Sequence, residues 1–410
     1  MSLTSKILIG MFSGLLLGSF ISFFGLEANQ FIKIYLIDGF LYIGGQVFIS
    51  LLKLMVVPLV FFSLTSGVSS LDQNLSLGRI AGKTLGLYLT TTAIAITIGL
   101  TIAVLFNPGN NLDLETSISL SIPESPNIKD ILLGIIPSNP IKAMADGNML
   151  QIIVFSILFG IAIRSLGDSV KIIKDAVNSI TEIVLKLVMF IINIAPYGVF
   201  CLMSVLFAEK GLTVLGDLSF YFFIVVSALL LHGFLTYSLF LILFVKVNPF
   251  KFFNKIKSLM LFAFSTSSSN ATIPVTLKTV VDNIGVNRKI ASFTVPLGAT
   301  INMDGTAIMQ GVATVFIANA YSIDLLFVDY LMVILTATLA SIGTAGVPGV
   351  GLIMLAMVLN QVGLPVEGIA LIIGVDRLLD MLRTVVNVTG DSTISTIVAN
   401  SENQLERTNL

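Results

Sequence analysis

The chain has 410 residues, of which 55% are hydrophobic and only 11% charged, with a mean hydropathy of +1.00 and a formal net charge of −1. A typical soluble chain is roughly one-quarter charged, so this composition describes a polytopic membrane protein, and the near-neutral balance argues against a nucleic-acid partner. The single cysteine, Cys201, excludes an internal disulfide and any cysteine-based metal site.

Taken in order, apolar segments occupy residues 7–24, 34–64, 80–106, 131–163, 180–207 and 218–247. The first follows only Lys6 and has no small-residue cleavage pattern after it, so it reads as a helix and not as a signal peptide. Several segments exceed the ~20 residues of a straight span, which predicts tilted or broken helices with breaks at Pro58, Pro137, Pro140 and Pro196. Lys53, in mid-segment, either snorkels or finds a buried partner. His232 reads as a hydrogen-bonded packing residue in preference to a proton relay.

Short cytoplasmic loops collect Lys and Arg. Lys246, Lys251, Lys255 and Lys257 follow the sixth segment without an acid, and Arg164, Lys171 and Lys174 follow the fourth. The loop over residues 107–130 instead carries Asp113, Glu115, Glu124 and Asp130 against Lys129. This pattern places the N-terminus inside and predicts an even number of spans over residues 1–250.

The pattern then changes. Residues 259–281 contain S-T-S-S-S-N-A-T-I-P (265–274), too polar at its centre for a lipid-facing span, which predicts a re-entrant hairpin with a protein-buried tip. A helix over 290–318 follows, interrupted by N-M-D-G-T (302–306). A second broken apolar segment over 331–359 has S-I-G-T-A-G-V-P-G-V-G (341–351) at its centre. The last helix is expected to break at N-V-T-G-D (387–391), making these four elements a duplication. The predicted fold is therefore all-α: eight transmembrane helices plus two re-entrant hairpins in inverted repeats, with the transport core over 251–400 and a cytoplasmic tail over 401–410.

At about 100° per residue, Asp376, Asp380, Arg383, Thr384, Asn387 and Asp391 share one stripe of the last helix. A charge at mid-bilayer costs about 2.5–3.5 kcal/mol on insertion scales, so such a stripe requires partners or a cavity and marks a functional site. Arg383 is a planar fork suited to a carboxylate, and Asp380 one turn earlier suits an amine. The bland reading is an Asp380–Arg383 ion pair that merely neutralises two charges, yet Thr384 and Asn387 extend the polar face past what one pair needs. Asp304 and Asp391 lie beside glycines in helices expected to be broken, where carbonyls and carboxylates suit a hard cation; a protonated structural aspartate is the alternative.

The strings P-L-V-F (58–61), G-N-M-L-Q-I (147–152), A-P-Y-G-V-F (195–200), N-M-D-G-T and V-N-V-T-G-D (386–391) occur in this order. The chain resembles, over nearly its whole length, the glutamate/aspartate transporter family, the dicarboxylate/amino acid:cation symporters. The resemblance implies that Arg383 binds the substrate's side-chain carboxylate and Asp380 its amine, with Thr384, Asn387 and Thr306 as further contacts. It also implies that Ser268 and Ser269 on one hairpin tip, and Gly346, Val347 and the backbone to Gly349 and Gly351 on the other, hold the α-carboxylate. One implied sodium site uses Asp391 with the carbonyls of Gly298, Asn302 and Asn387, and a second the carbonyls of Thr300, Ser341, Ile342 and Thr344. A third uses Asp304, Asn302, Tyr88, Thr91 and Thr92. Members usually keep an additional arginine where this chain has Ser267 and Met381; Arg377, four residues from Met381, is expected to replace it by reaching Asp376 or the first hairpin tip.

These features imply a sodium-coupled symporter for aspartate or glutamate in the cell (inner) membrane, working by alternating access. In the family the first, second, fourth and fifth helices form a scaffold and homotrimer interface, while the third and sixth travel with the hairpins. Proton coupling, or a C4-dicarboxylate substrate, is the alternative. An intramembrane hydrolase using Ser265–Ser269 with His232 lacks a G-x-S-x-G elbow, and a passive channel is disfavoured by so specific a cradle. No enzymatic activity is expected.

Overall fold

The computed structural model describes residues 3–69, 75–110, 112, 136–342, 344 and 346–406. Most of the acidic loop used above for orientation, and the last residues of the tail, lie outside them. Among the described residues the chain is helical, and the β-type pairing given is the isolated bridge between Val286 and Leu405. The helices are α1 (Leu3–Phe23), α2 (Tyr42–Ser69, entered through a π-helical run Ile32–Leu41), α3 (Leu75–Phe106), α4 (Pro140–Asp146), α5 (Met149–Leu166), α6 (Lys171–Lys210) and α7 (Val214–Leu230, continued by π and α turns to Val245). They continue as α8 (Pro249–Thr266), α9 (Ser269–Lys278), α10 (Arg288–Ile301), α11 (Asp304–Ala320), α12 (Phe327–Ser341), α13 (Val350–Gln361) and α14 (Ile369–Ser401).

Among the described residues five stretches are long and apolar enough to cross a membrane: Ser5–Phe23, Ile32–Ser69, Arg79–Phe106, Leu150–Lys210 and Val214–Val245. Their outer faces carry apolar rows such as Ile9, Phe12, Leu16 and Phe20 on α1, all exposed, which suits hydrocarbon. The 15-residue α12 and 12-residue α13 are apolar but short of a span.

Local chemistry sets the helix starts. Asn139, Asn248, Ser268 and Asn287 each cap a helix with a side-chain oxygen that accepts from the first-turn amides, and Pro140 and Pro249 occupy the turn where a missing N–H costs nothing. Gly349, at φ +83°, turns the chain into α13 through the left-handed region.

Three expectations are corrected. Pro58 and Pro196 lie inside unbroken α2 and α6; with no water in hydrocarbon to take freed backbone groups, a helix tends to continue through proline. Of the expected proline breaks, Pro137 and Pro140 do precede a helix start. The last helix does not break at Asn387–Asp391. α14 runs unbroken from Ile369 to Ser401, and within it the hydroxyls of Thr384, Thr389, Ser392 and Ser395 each find an acceptor in the carbonyl four residues back. Asp391 therefore lies within an unbroken helix, and the break beside it is the one at Asn302, across from it.

Packing divides the helices into two groups. α1, α2, α5 and α6 pack on one another. Gly10, Gly14 and Gly18 let α1 approach the Pro196, Phe200 and Ser204 backbone so closely that a Cβ would collide. The second group surrounds α11 and α14, whose side chains are buried on almost every face; α3, α8, α10 and α13 pack around them. Between the groups, α12 and α13 rest on α5, and α13 also on α2, whereas Leu261 and Phe262 of α8 remain exposed.

Candidate substrate and cation sites

The polar stripe of α14 is buried: Arg383 is 1% exposed, and Asp376, Asp380, Thr384, Asn387 and Asp391 are buried beside it. Arg383 Nη2 donates to Asp380 Oδ1 at 2.9 Å, and its Nη1 lies 2.9 Å from Asp376 Oδ1 without the alignment of a hydrogen bond. Among the described residues Arg383 Nε and Nη1 thus find no hydrogen-bond acceptor. Guanidinium donors buried without acceptors are costly, and a planar fork of this kind is suited to an anion. Arg377 Nη1 donates to Asp380 Oδ2 at 3.2 Å, so this chain's extra arginine holds Asp380, a partner the sequence did not indicate.

α11 supplies the facing wall. Gly305 lies against the Arg383 backbone, where a Cβ would clash, and its N–H donates to Asn387 Oδ1 at 2.7 Å. Arg383 Nη1, Met309 and Thr306 converge on Gly351, where an added Cβ would stand 3.3 Å from the guanidinium nitrogen. The two tips meet over this space. The Gly346 carbonyl accepts from the Ser268 hydroxyl at 2.6 Å and from the Asn270 N–H at 3.1 Å. Ser269 is buried in the first turn of α9, and Val347 is half-buried. Of the substrate-contact residues expected from sequence, Gly351 and Thr306 lie close to Arg383, Asn387 holds the Gly305 N–H, and Ser268 meets Gly346 where the two tips touch.

A second nest lies one to two turns further along α14. Asn302, in the extended break between α10 and α11, donates through Nδ2 to Asp391 Oδ1 and to the Asn387 carbonyl, both at 2.9 Å. Its own Oδ1 is buried without a donor. Gly298 lies so close to the Asp391 carboxylate and the Tyr88 hydroxyl that a Cβ could not fit. Asp304 accepts from Thr92 at 2.6 Å on Oδ1, and on Oδ2 from Tyr237 at 2.8 Å, with His232 Nε2 at 3.1 Å. Acceptors thus converge with no Lys or Arg bonded to either carboxylate, and the orphaned Asn302 oxygen fits a small hard cation among the donors named from sequence. Tyr88 and Thr91 turn their hydroxyls to the Thr294 and Tyr88 carbonyls, so of the helix-three string only Thr92 reaches Asp304 by a hydrogen bond.

The carbonyl-only set is partly gathered. Thr300, Ile342 and Thr344 line a cavity of about 390 Å³ that also reaches Ser63, Ser66 and Thr181, and Ser341, at the end of α12, turns its hydroxyl to the Thr338 carbonyl.

His232 is buried and hydrogen-bonded as expected, but sequence reasoning missed its partner, and it missed Tyr237 altogether. His232 projects from the π-helical stretch of the sixth apolar segment and Tyr237 from the α turn directly after it, with rings 4.8 Å apart, onto Asp304, 72 and 67 residues away. The available signal was a pair of polar aromatics at a spacing that a wide π turn brings to one face. Lys53 resolves as a partnered residue, its Nζ 2.8 Å from Glu367.

The model of the sodium:dicarboxylate symporter family matches residues 3–401. The chain is 33% identical over 99% of its length to the proton/glutamate-aspartate symporter of Escherichia coli, covering 94% of that protein. It is 32% identical over 97% of its length to the proton/sodium-glutamate symport protein of Geobacillus stearothermophilus, again covering 94%. It is also 32% identical over 99% of its length to the C4-dicarboxylate transport protein of Rhodospirillum rubrum, covering 89%.

Proposed function

The chain belongs to the sodium:dicarboxylate symporter family, a family of membrane transporters and not enzymes, and from this we propose that it carries an acidic amino acid, aspartate or glutamate, into the cell together with sodium ions. The observation that carries this reading is the Arg383 guanidinium, 1% exposed, with Nε and Nη1 lacking acceptors. It takes the substrate's side-chain carboxylate in two parallel bonds, and Asp380 takes the α-ammonium. Thr306, Thr384 and Asn387 orient the bound acid, and the hairpin tips at Ser268 and Gly346 close over its α-carboxylate.

Sodium at Asp391 and Asp304 neutralises carboxylates that, among the described residues, have no Lys or Arg partner in a low-dielectric interior. The converging acceptors at Asn302 support a metal cation over a proton, which needs only one acceptor. One helix group, α1, α2, α5 and α6, serves as a scaffold and trimer interface in the inner membrane, and the other moves across it. With the termini cytoplasmic, α12 and α13 covered and α8 uncovered, the arrangement corresponds to a site turned toward the cytoplasm.

A second reading, a C4-dicarboxylate substrate, draws on Arg377, whose hold on Asp380 offsets the repulsion that carboxylate would exert on a substrate lacking an amine. Uptake of radiolabelled L-aspartate into proteoliposomes under an imposed sodium gradient, repeated with a proton gradient alone and with excess succinate, tests all three. Sodium-driven uptake resistant to succinate is expected; uptake driven by protons alone, or abolished by succinate, selects the other readings.

A further inference from the structure

Asp380 is held on both oxygens, by Arg383 on Oδ1 at 2.9 Å and by Arg377 on Oδ2 at 3.2 Å. With Asp376 against Arg383, the charges alternate as Arg377, Asp380, Arg383, Asp376, a chain that is neutral without any ligand. Asp376, Arg377 and Asp380 border a small cavity of about 40 Å³ whose opposite wall is apolar, with Phe48 and Leu52 of α2 and Ile192 and Val199 of α6. A carboxylate facing that largely apolar wall is poorly solvated, so its charge requires a matching partner while the two helix groups slide.

We propose that Arg377 is the internal counter-ion of the empty transporter: it occupies Asp380 while no substrate is bound and gives that oxygen up to the ammonium group of an incoming acidic amino acid. This deepens, and rests on, the amino-acid reading above. Arg377 is the replaceable partner because its bond is the longer of the two and its side chain reaches Asp380 from the neighbouring turn of the same helix, so it can swing aside without moving α14. Arg383, buried more completely and committed to the substrate carboxylate, is not replaceable. Asp380 then has two positive neighbours both when the site is empty and when it is loaded.

Arg377 matters for the step in which the empty site recrosses the membrane and not for the step in which the loaded site does. A static helix brace would influence both steps alike. The two are separated by measuring L-aspartate in proteoliposomes in two modes: net uptake into empty vesicles under the ion gradient, which requires the empty return, and exchange into vesicles preloaded with unlabelled L-aspartate, which does not. Arg377→Ala and Arg377→Gln are expected to lose net uptake by about tenfold or more and keep exchange within about threefold, with Arg377→Lys restoring net uptake. The retained exchange shows that the variants are folded. Loss or retention of both modes in parallel, in both variants, overturns the role. Wild-type vesicles that carry aspartate in neither mode overturn the amino-acid reading itself, so the two failures are told apart.

Discussion

The two polar nests on α14 solve the same problem, charge buried in an apolar protein, in opposite ways. Around Asp380 the carboxylates face guanidinium groups, the charges balance, and what remains without a hydrogen bond among the described residues is Arg383 Nε and Nη1, with Asp376 Oδ1 beside them. Around Asp391 and Asp304 the partners are an amide, hydroxyls and an imidazole, and what remains unmatched among the described residues is the acceptor Asn302 Oδ1, together with Nδ1 of the His232 ring. The spare guanidinium donors of the first nest suit the anion proposed above, and the spare amide oxygen of the second suits the proposed cation. The nests share one helix and the Asn387 side chain and carbonyl, through which Gly305 and Asn302 are both bonded. That sharing offers a physical route by which cation and substrate support each other's binding.

The strongest way to break this contrast is Arg383→Ala. Truncating a buried, hydrogen-bonded charge costs about 2–5 kcal/mol, so aspartate uptake at subsaturating concentration is expected to fall by about 100-fold or more. Sodium-dependent thermal stabilisation of the purified protein should survive; if it vanishes too, the nests are not separate. Asp391→Asn tests the other side. Losing one charged ligand, worth about 1–3 kcal/mol, should raise the sodium concentration for half-maximal uptake by about tenfold or more and leave substrate affinity at saturating sodium within about threefold. A reversed pattern would assign Asp391 to the substrate.

Gly298→Ala sharpens the cation side without altering charge. The new methyl has no room beside Asp391 and Tyr88, so overpacking should cost about 1–3 kcal/mol in stability and weaken sodium dependence in the same direction as Asp391→Asn. Ser268→Ala removes the hydroxyl that joins the tips over the substrate nest. One hydrogen bond, about 1 kcal/mol, predicts substrate release faster by about fivefold in a stopped-flow displacement experiment, with the sodium titration unmoved.

The smallest effect is expected outside both nests, at the exposed pair Lys53–Glu367. Such pairs contribute about 0.2–1 kcal/mol, so Glu367→Gln should shift the balance between conformers by no more than about fivefold, read as a cysteine cross-linking rate between α2 and the turn before α14. Partial burial raises the Glu367 carboxyl, but the Lys53 hydrogen bond and a backbone bond outweigh it and leave it below its usual range. The pair's contribution is therefore present above the ordinary carboxylate value, about 4.3, and lost as pH falls through the lowered one. A wild-type cross-linking rate that changed between pH 6 and 8 would point to another group.

Much of the first nest was legible because its residues repeat along one helix. The spacing of Asp376, Asp380, Arg383, Thr384 and Asn387 is local information, and a 3.6-residue period turns it directly into a shared face. The start of α11 at Asp304 was equally legible from N-M-D-G-T. The second nest was legible only in part, since the link from Thr92 to Asp304 spans 212 residues and that from His232 spans 72. Continuity of α2, α6 and α14 was misread because Pro and Asn-x-x-Gly carry turn chemistry in water that lipid and back-bonded hydroxyls override.

By itself the sequence determined that this chain lives in a membrane, where its helices run, and that charge is concentrated on the last of them, because hydropathy and helical periodicity are properties of neighbours along the chain. The tertiary structure alone decided which charges are satisfied and by whom: that Arg377 serves Asp380, that His232 and Tyr237 serve Asp304, and that Arg383 keeps donors to spare. Partnership between buried polar groups depends on distances across the fold, and in a low-dielectric interior those distances set which ligand the site still lacks.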